Sequence, residues 1–358
     1  MPASSNYRIY YAVQQLAFAK IGTQTFTAAH GVQSVGITTN FNLDRVFELG
    51  QISIYENIEQ IPDVTVTAEK VLDGYPLLYH LATNGSTSAT LAGRGTAKTI
   101  VGVSVFSDVQ DAASGTPIAE VQMSGMYIQS LNYRIPVQGN MTESVTLIGN
   151  DKVWRTSAAF VLTGQFNNTD SPFGASVSGG VQRRENLLFT YPANPGLDVN
   201  SQVNVTTATV LPPDIDGISS SGTNDKDSGG NFGAHVQDIA VSVNLGREAL
   251  YELGRRSPYY RYINFPVEVT TEITTIGVKY DGVSAKEDGI LSTGDNLSNR
   301  TIKLKTQEST YINLGTKNKL SSVRWGGGDA GGGNVTAVYS YSNFNDLTVT
   351  HSNDPSGL

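Results

Sequence analysis

Val32–Thr67 reads VQSVGITTNFNLDRVFELGQISIYENIEQIPDVTVT, and a related stretch returns at Val236–Thr271 as VQDIAVSVNLGREALYELGRRSPYYRYINFPVEVTT. At an offset of 204 residues, with no gap, Val32 meets Val236, Gln33 meets Gln237 and Asn40 meets Asn244. Glu48, Leu49 and Gly50 meet Glu252, Leu253 and Gly254, and Ser53, Tyr55, Pro62 and Thr67 meet Ser257, Tyr259, Pro266 and Thr271. That is ten identities in 36 positions, and pairs such as Val35/Ile239, Ile37/Val241, Phe41/Leu245, Asp44/Glu248 and Phe47/Tyr251 keep their character. An internal repeat decides the fold before any local assignment does. This one divides the chain into two copies of one domain, with expected boundaries at residues 1–165 and 236–358 and a loop-rich connection at 166–235.

Length and composition agree. A chain of 358 residues suits two domains, each able to bury a core without staples. With no cysteine there is no disulfide framework and no thiolate metal site. Charged residues make up only 16%, while Gly, Ser, Thr and Asn abound, which favours short strands and many turns over salt-bridged helices. The net charge of −8 comes without any block of Lys or Arg, so a phosphate-gripping face is not expected. The N-terminal Met1–Ser5 has no apolar run behind a positive segment and does not read as a signal peptide. No apolar stretch approaches the roughly 20 residues that cross a bilayer as a helix.

Outward from the repeat, 10–20 admits a helix but its β-favouring residues argue for a strand. His30–Asn42 alternates imperfectly, as a strand with a bulge would. Asp44–Leu49 reads as a helical turn stopped by Gly50, followed by a segment to Ile61 that suits a protruding hairpin. Val64–Val71 is a clean strand, with Val64, Val66 and Ala68 on one face. Pro76–Thr83 is the best helix of the first copy, stopped at Asn84-Gly85, with Leu77, Leu78 and Leu81 as its apolar stripe. Strands follow at 100–107, 120–135 and 142–148, the last two joined across Gln138-Gly139-Asn140. The connection, with Ser219–Gly230 as its softest run, holds a strand-like piece at Val203–Leu211. In the second copy Val236–Asn244 and Val267–Tyr280 are strands. Arg247–Arg256 reads as a helix, Ala285–Leu291 as a decayed one, and strands close the chain at 301–306, 319–325 and 336–341. Gly326–Gly333 reads as a hairpin tip.

Chemistry is sparse. His30, His80, His235 and His351 are scattered without metal-ligand spacing, and His80 suits a packing role. No Gly-x-Ser-x-Gly elbow and no Lys-Ser/Thr after the glycine run is present. Asp214, Asp216, Asp225 and Asp227 read as a solvated acidic loop rather than a calcium site. Arg183-Arg184 and Arg255-Arg256 suit carboxylates on a neighbouring subunit. No catalytic residue, cofactor or metal is expected.

Several of these segments resemble the tail tube (major tail) proteins of tailed bacteriophages. The likeness is carried by Phe47-Glu48-Leu49-Gly50, by Ile61–Thr67, by Glu69–Leu77, by the pair Ser124–Tyr127 and Leu147–Asp151, and by Arg247–Glu268. The resemblance implies a mainly β fold of two antiparallel β-sandwich or barrel domains, each with a short flanking helix. It implies a virion structural protein, made in the host cytoplasm, whose homotrimers with pseudo-sixfold symmetry, or homohexamers, stack into a tube. DNA transits the lumen without specific binding, and sheath, tape-measure and tail-terminator proteins are the implied partners. Ring and stacking contacts are then expected at Phe47, Glu48, Leu49, Gly50, Tyr55 and Pro62 and at Tyr251, Glu252, Leu253, Gly254, Tyr259 and Pro266. The rival readings are a virion or cell-surface β-sandwich adhesin or decoration protein that binds glycans, and a β-rich glycosidase.

Overall fold

The computed structural model describes residues 9, 11–83, 89–91, 95–155, 157–164, 180–189, 211, 236–255, 257–277, 281–283, 299–306, 310–328 and 332–350. Its first half runs β1 (Gln14–Lys20), β2 (Phe26–Ala28), β3 (Val32–Asn40), β4 (Leu43–Phe47), β5 (Ile54–Glu59), β6 (Asp63–Val71), α1 (Leu78–Ala82), β7 (Ala89–Thr90), β8 (Thr99–Val105), α2 (Val109–Ser114), β9 (Ala119–Pro136), β10 (Thr142–Gly149) and β11 (Val153–Arg155). It continues with β12 (Leu187–Phe189), β13 (Val236–Asn244), β14 (Arg247–Leu250), β15 (Tyr260–Ile263), β16 (Glu268–Ile276), β17 (Lys303–Thr306), β18 (Tyr311–Asn313), β19 (Lys319–Gly327), β20 (Val335–Phe344) and β21 (Thr348–Thr350). The chain is mainly β and antiparallel, as the composition implied.

The repeat is structural. In the first copy the strands lie in the order β3-β6-β10-β9, and in the second β13-β16-β20-β19. The copies join edge to edge, β13 against β9, so eight antiparallel strands form one sheet from β3 to β19. Each copy lifts a two-stranded hairpin off that sheet, β4–β5 in the first and β14–β15 in the second. Both copies carry a bulge at the same place in the first strand, at Gln33 and at Gln237. They also share one in the fourth strand, at Gln129 and at Ser321, where Ile128-Gln129-Ser130-Leu131 and Leu320-Ser321-Ser322-Val323 keep one serine and two aliphatic positions. A bulge is specified by the local ladder, so two matched bulges mark one ancestral sheet.

The ungapped alignment fails at one point. The hairpins pair in the same frame, Asp44 with Ile58 and Glu248 with Tyr262. After them the frame slips. Ile37 faces Val66, whereas its counterpart Val241 faces Thr271, one residue beyond the expected Thr270. One extra residue therefore lies between β15 and β16, and the Thr67/Thr271 identity is accidental: Thr67 is exposed and Thr271 is buried. Because side chains alternate with period two, a one-residue slip moves a position to the opposite face.

Two expected helices are strands. Leu43–Phe47 and Arg247–Leu250 pair across their hairpins instead of coiling. A helix of six to ten residues has little stability of its own, and cross-strand pairing satisfies the same backbone groups. Gly50, read as a helix stop, and Gly254, inside the expected second helix, are turn residues. Gly50 and Gly254 hold φ of 92° and 81° at the third position of turns closed by Gln51 N–H to Glu48 O and Arg255 N–H to Glu252 O. A glycine is favoured there because the turn needs positive φ.

Four more strands branch from that path through β9, and a five-stranded sheet stands apart. β9 is 18 residues long and changes partners near Gly125 (φ 70°). Its first part pairs β8 and β11, its second part β10 and β13. β1 and β2 extend the branch through β8. A separate sheet, in the order β12-β17-β18-β21-β7, takes β7 from the first half and most of its strands from the second. One continuous apolar core runs under both copies, from Val66 and Leu147 through Tyr133 and Val241 to Tyr339 and Tyr341. The expected stop at Asn84-Gly85, the helix at 285–291, the strand-like piece at 203–211 apart from the buried Leu211, and most of the 166–235 connection lie outside the described residues.

Helix α1 has no side-chain cap of its own at Leu77. Glu143, on β10, supplies one from across the core. Its carboxylate accepts from the N–H of Leu78 (2.6 Å) and Tyr79 (3.2 Å) and from the Tyr133 hydroxyl (2.9 Å). Burial pushes this carboxyl above the usual carboxylate range, and the hydrogen bonds pull it back only in part. A carboxyl raised in the folded state is charged at a cost above its folded pKa, and that cost vanishes as pH falls through it. The melting temperature of wild type minus that of E143Q is therefore expected to rise on acidification from neutral pH; parallel curves would show that the carboxyl titrates alike in both states.

Candidate assembly interfaces

The β4–β5 hairpin is exposed along both strands and on both faces. An isolated two-stranded ribbon is at best marginally stable in water. It nonetheless presents Phe47, Leu49, Ile52, Ile54 and Tyr55 to solvent, with Leu49 and Ile52 fully exposed. In the second hairpin Leu253 is likewise fully exposed, beside Tyr251 and Tyr259. The turn requires the glycine of the repeated Glu-Leu-Gly, yet no contact within the described protomer requires the leucine. Of the twelve expected contact residues, Phe47, Glu48, Leu49, Gly50 and Tyr55, and Tyr251, Glu252, Leu253, Gly254 and Tyr259, gather on the two hairpins. Pro62 and Pro266 sit at the hairpin bases, Pro62 half-buried with its carbonyl accepting from Asn150 Nδ2 at 2.9 Å.

The hairpins differ in what lies beneath them. β14–β15 is docked on the first copy. Arg247, from β14, donates through Nε to the Ile128 carbonyl (2.6 Å) and through Nη2 to Gly95 O, with its guanidinium 4.7 Å from the Tyr127 ring centroid. Burial lowers its pKa to about 10, which leaves it cationic at neutral pH. Arg261, from β15, is buried and donates to Asp63 Oδ1 (2.6 Å) and Asn150 Oδ1 (3.0 Å). Tyr260 meets Tyr127 edge-on at 6.0 Å, with Lys98 Nζ near both rings. Among the first-copy counterparts, Leu43 stands for Arg247, Glu56 for Tyr260 and Asn57 for Arg261, and all three are exposed.

Beside this docked hairpin runs the joint between the copies. Asp238–Asn244 pairs with Ser130–Pro136, Val241 opposite Tyr133. Its ends are tied by Leu245 N–H to Gln129 O and Val137 N–H to Gln237 O. The two outer edges of the sheet are the corresponding edges of the other copies. β3 stands where β13 does, and β19 where β9 does, and among the described residues no strand pairs with their outer sides. The exposures register the difference. Leu245 is 2% exposed at the joint, while its counterpart Phe41 is 68% exposed. Tyr133 is 1% exposed, and Trp325, in the same place on β19, is 48% exposed.

The remaining sequence candidates fall elsewhere. His30 stacks on Tyr75 at 4.2 Å, and His80 is buried with Nε2 3.1 Å from Val349 O. Arg183 reaches Asn140 Oδ1, and Arg255 pairs with Glu252 of its own hairpin at 3.0 Å. His235, His351, Arg256, the four loop aspartates and residues 329–331 of the glycine run lie outside the described residues. No cluster of potential metal ligands occurs among the described residues. Sequence reasoning passed over Arg247, Arg261 and the two sheet edges. The signal for the arginines was a difference between the copies, Leu43 to Arg247 and Asn57 to Arg261, rather than an identity.

No protein family matches the chain, and no curated protein matches it. Among solved structures, it is similar to a chain of the baseplate of the anti-feeding prophage, with 9% identity and a TM-score of 0.32 over 43% of this chain and 99% of that one. A chain of the sheath-tube complex of an extracellular contractile injection system gives 11% identity and a TM-score of 0.32 over 42% and 93%. A chain of a native gene transfer agent virion gives 12% and 0.26 over 39% and 95%. At such distances the functional reading falls to the chain's own geometry.

That geometry yields one expectation for the joint. Arg261→Met removes two charge-assisted hydrogen bonds and leaves Asp63 half-buried beside Asn150, so it should cost about 1–3 kcal/mol of stability in urea unfolding. A loss below about 0.5 kcal/mol, the range of ordinary surface changes, would mean that Arg261 does not anchor the hairpin.

Proposed function

We propose that this chain is a structural protein of a phage-like particle that polymerises into stacked rings, the tail tube through which a genome passes. One observation carries the reading: an eight-stranded sheet built from two head-to-tail copies, whose free edges are the same two edges that already join inside the chain. Head-to-tail contacts of this kind generate rings when the rotation closes. Closure also removes the open edges, which in a monomer are sites for uncontrolled pairing. The exposed leucine and tyrosines of the two hairpins then supply contacts between rings, twice per protomer and at matching heights, as the duplicated Glu-Leu-Gly tip suggests. Two of the segments that resemble tail tube proteins, Phe47–Gly50 and Arg247–Glu268, lie on these hairpins. A net charge of −8 suits a lumen that DNA slides through, since a basic wall would hold the phosphates.

Electron microscopy of the purified protein tests this. Rings or tubes of uniform diameter with an axial hole are expected, and monodisperse monomers at all concentrations would overturn the reading. The hairpins are tested separately. Tyr55→Ala, and Leu49→Asp combined with Leu253→Asp, should leave protomer stability within about 0.5 kcal/mol of wild type while stacking is lost. Normal tubes from these variants would remove the hairpins from the ring-to-ring contact.

A further inference from the structure

Resting on that ring reading, we infer the register and the chemistry of the contact between protomers: β3 of one molecule pairs antiparallel with β19 of the next, Ile37 opposite Trp325 and Thr38 opposite Arg324, and Glu56 of the neighbouring hairpin meets Lys319. The partner is a second copy of this chain. The inference comes from the internal joint, which serves as a template, and from the ladders that map one copy on the other.

The mapping is stepwise. Val66 faces Leu147 and Thr271 faces Tyr341, so Leu147 and Tyr341 correspond. These face Ile128 and Leu320, and beyond the shared bulge Tyr133 and Trp325 face Glu143 and Ala337. Since Val241 pairs with Tyr133, its counterpart Ile37 takes Trp325; since Ser242 pairs with Asn132, Thr38 takes Arg324. The strand directions allow it, because neighbours alternate without exception along the path from β3 to β19. The exposures call for it. Phe41 follows β3 as the buried Leu245 follows β13, and Ile37 and Val323 lie half-buried against the core, one at each free edge.

The hairpins carry the specificity. Inside the chain, Tyr260 of β15 meets Tyr127 of β9. Tyr127 faces Ile148 and Lys319 faces Ser342, the counterpart of Ile148, so Lys319 stands for Tyr127. Glu56 stands for Tyr260. An aromatic contact within the chain thus becomes a carboxylate–ammonium contact between chains. The second polar contact persists in altered form: Arg261 with Asp63 becomes Asn57 with Glu268, an amide that donates to a carboxylate. The same β4–β5 hairpin that is bare in the protomer gains a floor on the neighbour, as β14–β15 has on the first copy.

The chain contains no cysteine, which makes disulfide trapping clean. Even-numbered positions of the internal joint lie between its hydrogen-bonded pairs, where opposed Cα atoms come to about 4.5 Å. Thr38→Cys with Arg324→Cys occupies the corresponding place on exposed, outward-facing positions. Under mild oxidation it is expected to give covalent oligomers up to the ring size, while each single variant does not exceed a dimer. Thr39→Cys with Arg324→Cys joins only if the strands slip by one and should remain unlinked. In parallel, Glu56→Lys should raise the protomer concentration needed for rings about tenfold, a shift of ~1.4 kcal/mol. Adding Lys319→Glu should restore it, and high salt should shrink the difference. Wild-type rings without the Thr38–Arg324 link would overturn the register alone, as would linking of the slipped pair. Rings indifferent to the charge exchange would overturn the Glu56–Lys319 contact. Failure of wild type to form any ring would overturn the ring reading and the register together.

Discussion

A strand at the edge of a sheet carries a row of backbone N–H and C=O groups that need partners, and this fold turns on where those rows are met. Within the chain, the first strand of the second copy fills the fourth strand of the first. β13 lies on β9, and the ladder is continued at its ends by Leu245 N–H to Gln129 O and Val137 N–H to Gln237 O. The core follows that junction. Tyr133 and Val241 face one another across it and are almost fully buried, and the apolar cluster runs through them without a break. Were the copies independent sandwiches, Tyr133 would have the half-exposed setting that Trp325 has now. The first copy is therefore finished along the sheet by the second, while among the described residues β3 and β19 have no such neighbour.

The remaining sheets hold the halves in one frame. β7, from the first half, pairs with β21 from the second, and Leu91 N–H reaches Leu347 O nearby. His80, on α1, packs against the Val349 carbonyl, while Glu143 ties the start of α1 to the long sheet. Rotation of one copy about the β9–β13 joint would break these ties as well as the ladder. A stiff joint matters for a ring, because a small spread in angle per joint accumulates around the circle and opens it.

The repeat was legible because its first strand, Val32–Asn40, returns without a shift as Val236–Asn244 and keeps Gln33 and Gln237 at its bulge. The strand at Val64, the helix near Leu78 and the β9–β10 hairpin were legible from alternation, an apolar stripe and a turn. What misled was local pattern against tertiary pairing. Glu-Ala-Leu-Tyr-Glu-Leu has helical spacing, but its first three residues pair across the hairpin, Glu248 with Tyr262 and Leu250 with Tyr260. The extra residue before β16 was hidden by a chance Thr67/Thr271 match, which only the opposite burial of the two threonines exposes. The matched bulges at Gln129 and Ser321 were missed because their short likeness, Ser130 with Ser322 and Tyr133 with Trp325, falls outside the 204-residue offset. The hairpin tips were found because Leu49 and Leu253 were retained; the joint was missed because Arg247 and Arg261 were not repeated, and a repeat search weights what stays the same.

That asymmetry is itself informative. The contact inside the chain is favoured by the connection: the tether holds β13 near β9 at a high effective concentration, so its side chains need only pack well. Tyr127, Tyr260 and the two arginines do so in a partly dehydrated setting. A contact between molecules has no tether, must form at the concentration of free protomers and must reject wrong registers. Opposed charges suit that task, because they speed encounter and penalise misplacement while adding little to the strength of a finished joint. Two copies with one topology thus differ where one hairpin is docked and the other is bare. On the proposed ring, the sites that broke the repeat, Leu43 to Arg247, Glu56 to Tyr260 and Asn57 to Arg261, all lie on the faces that distinguish a neighbour in the same chain from a neighbour in the next.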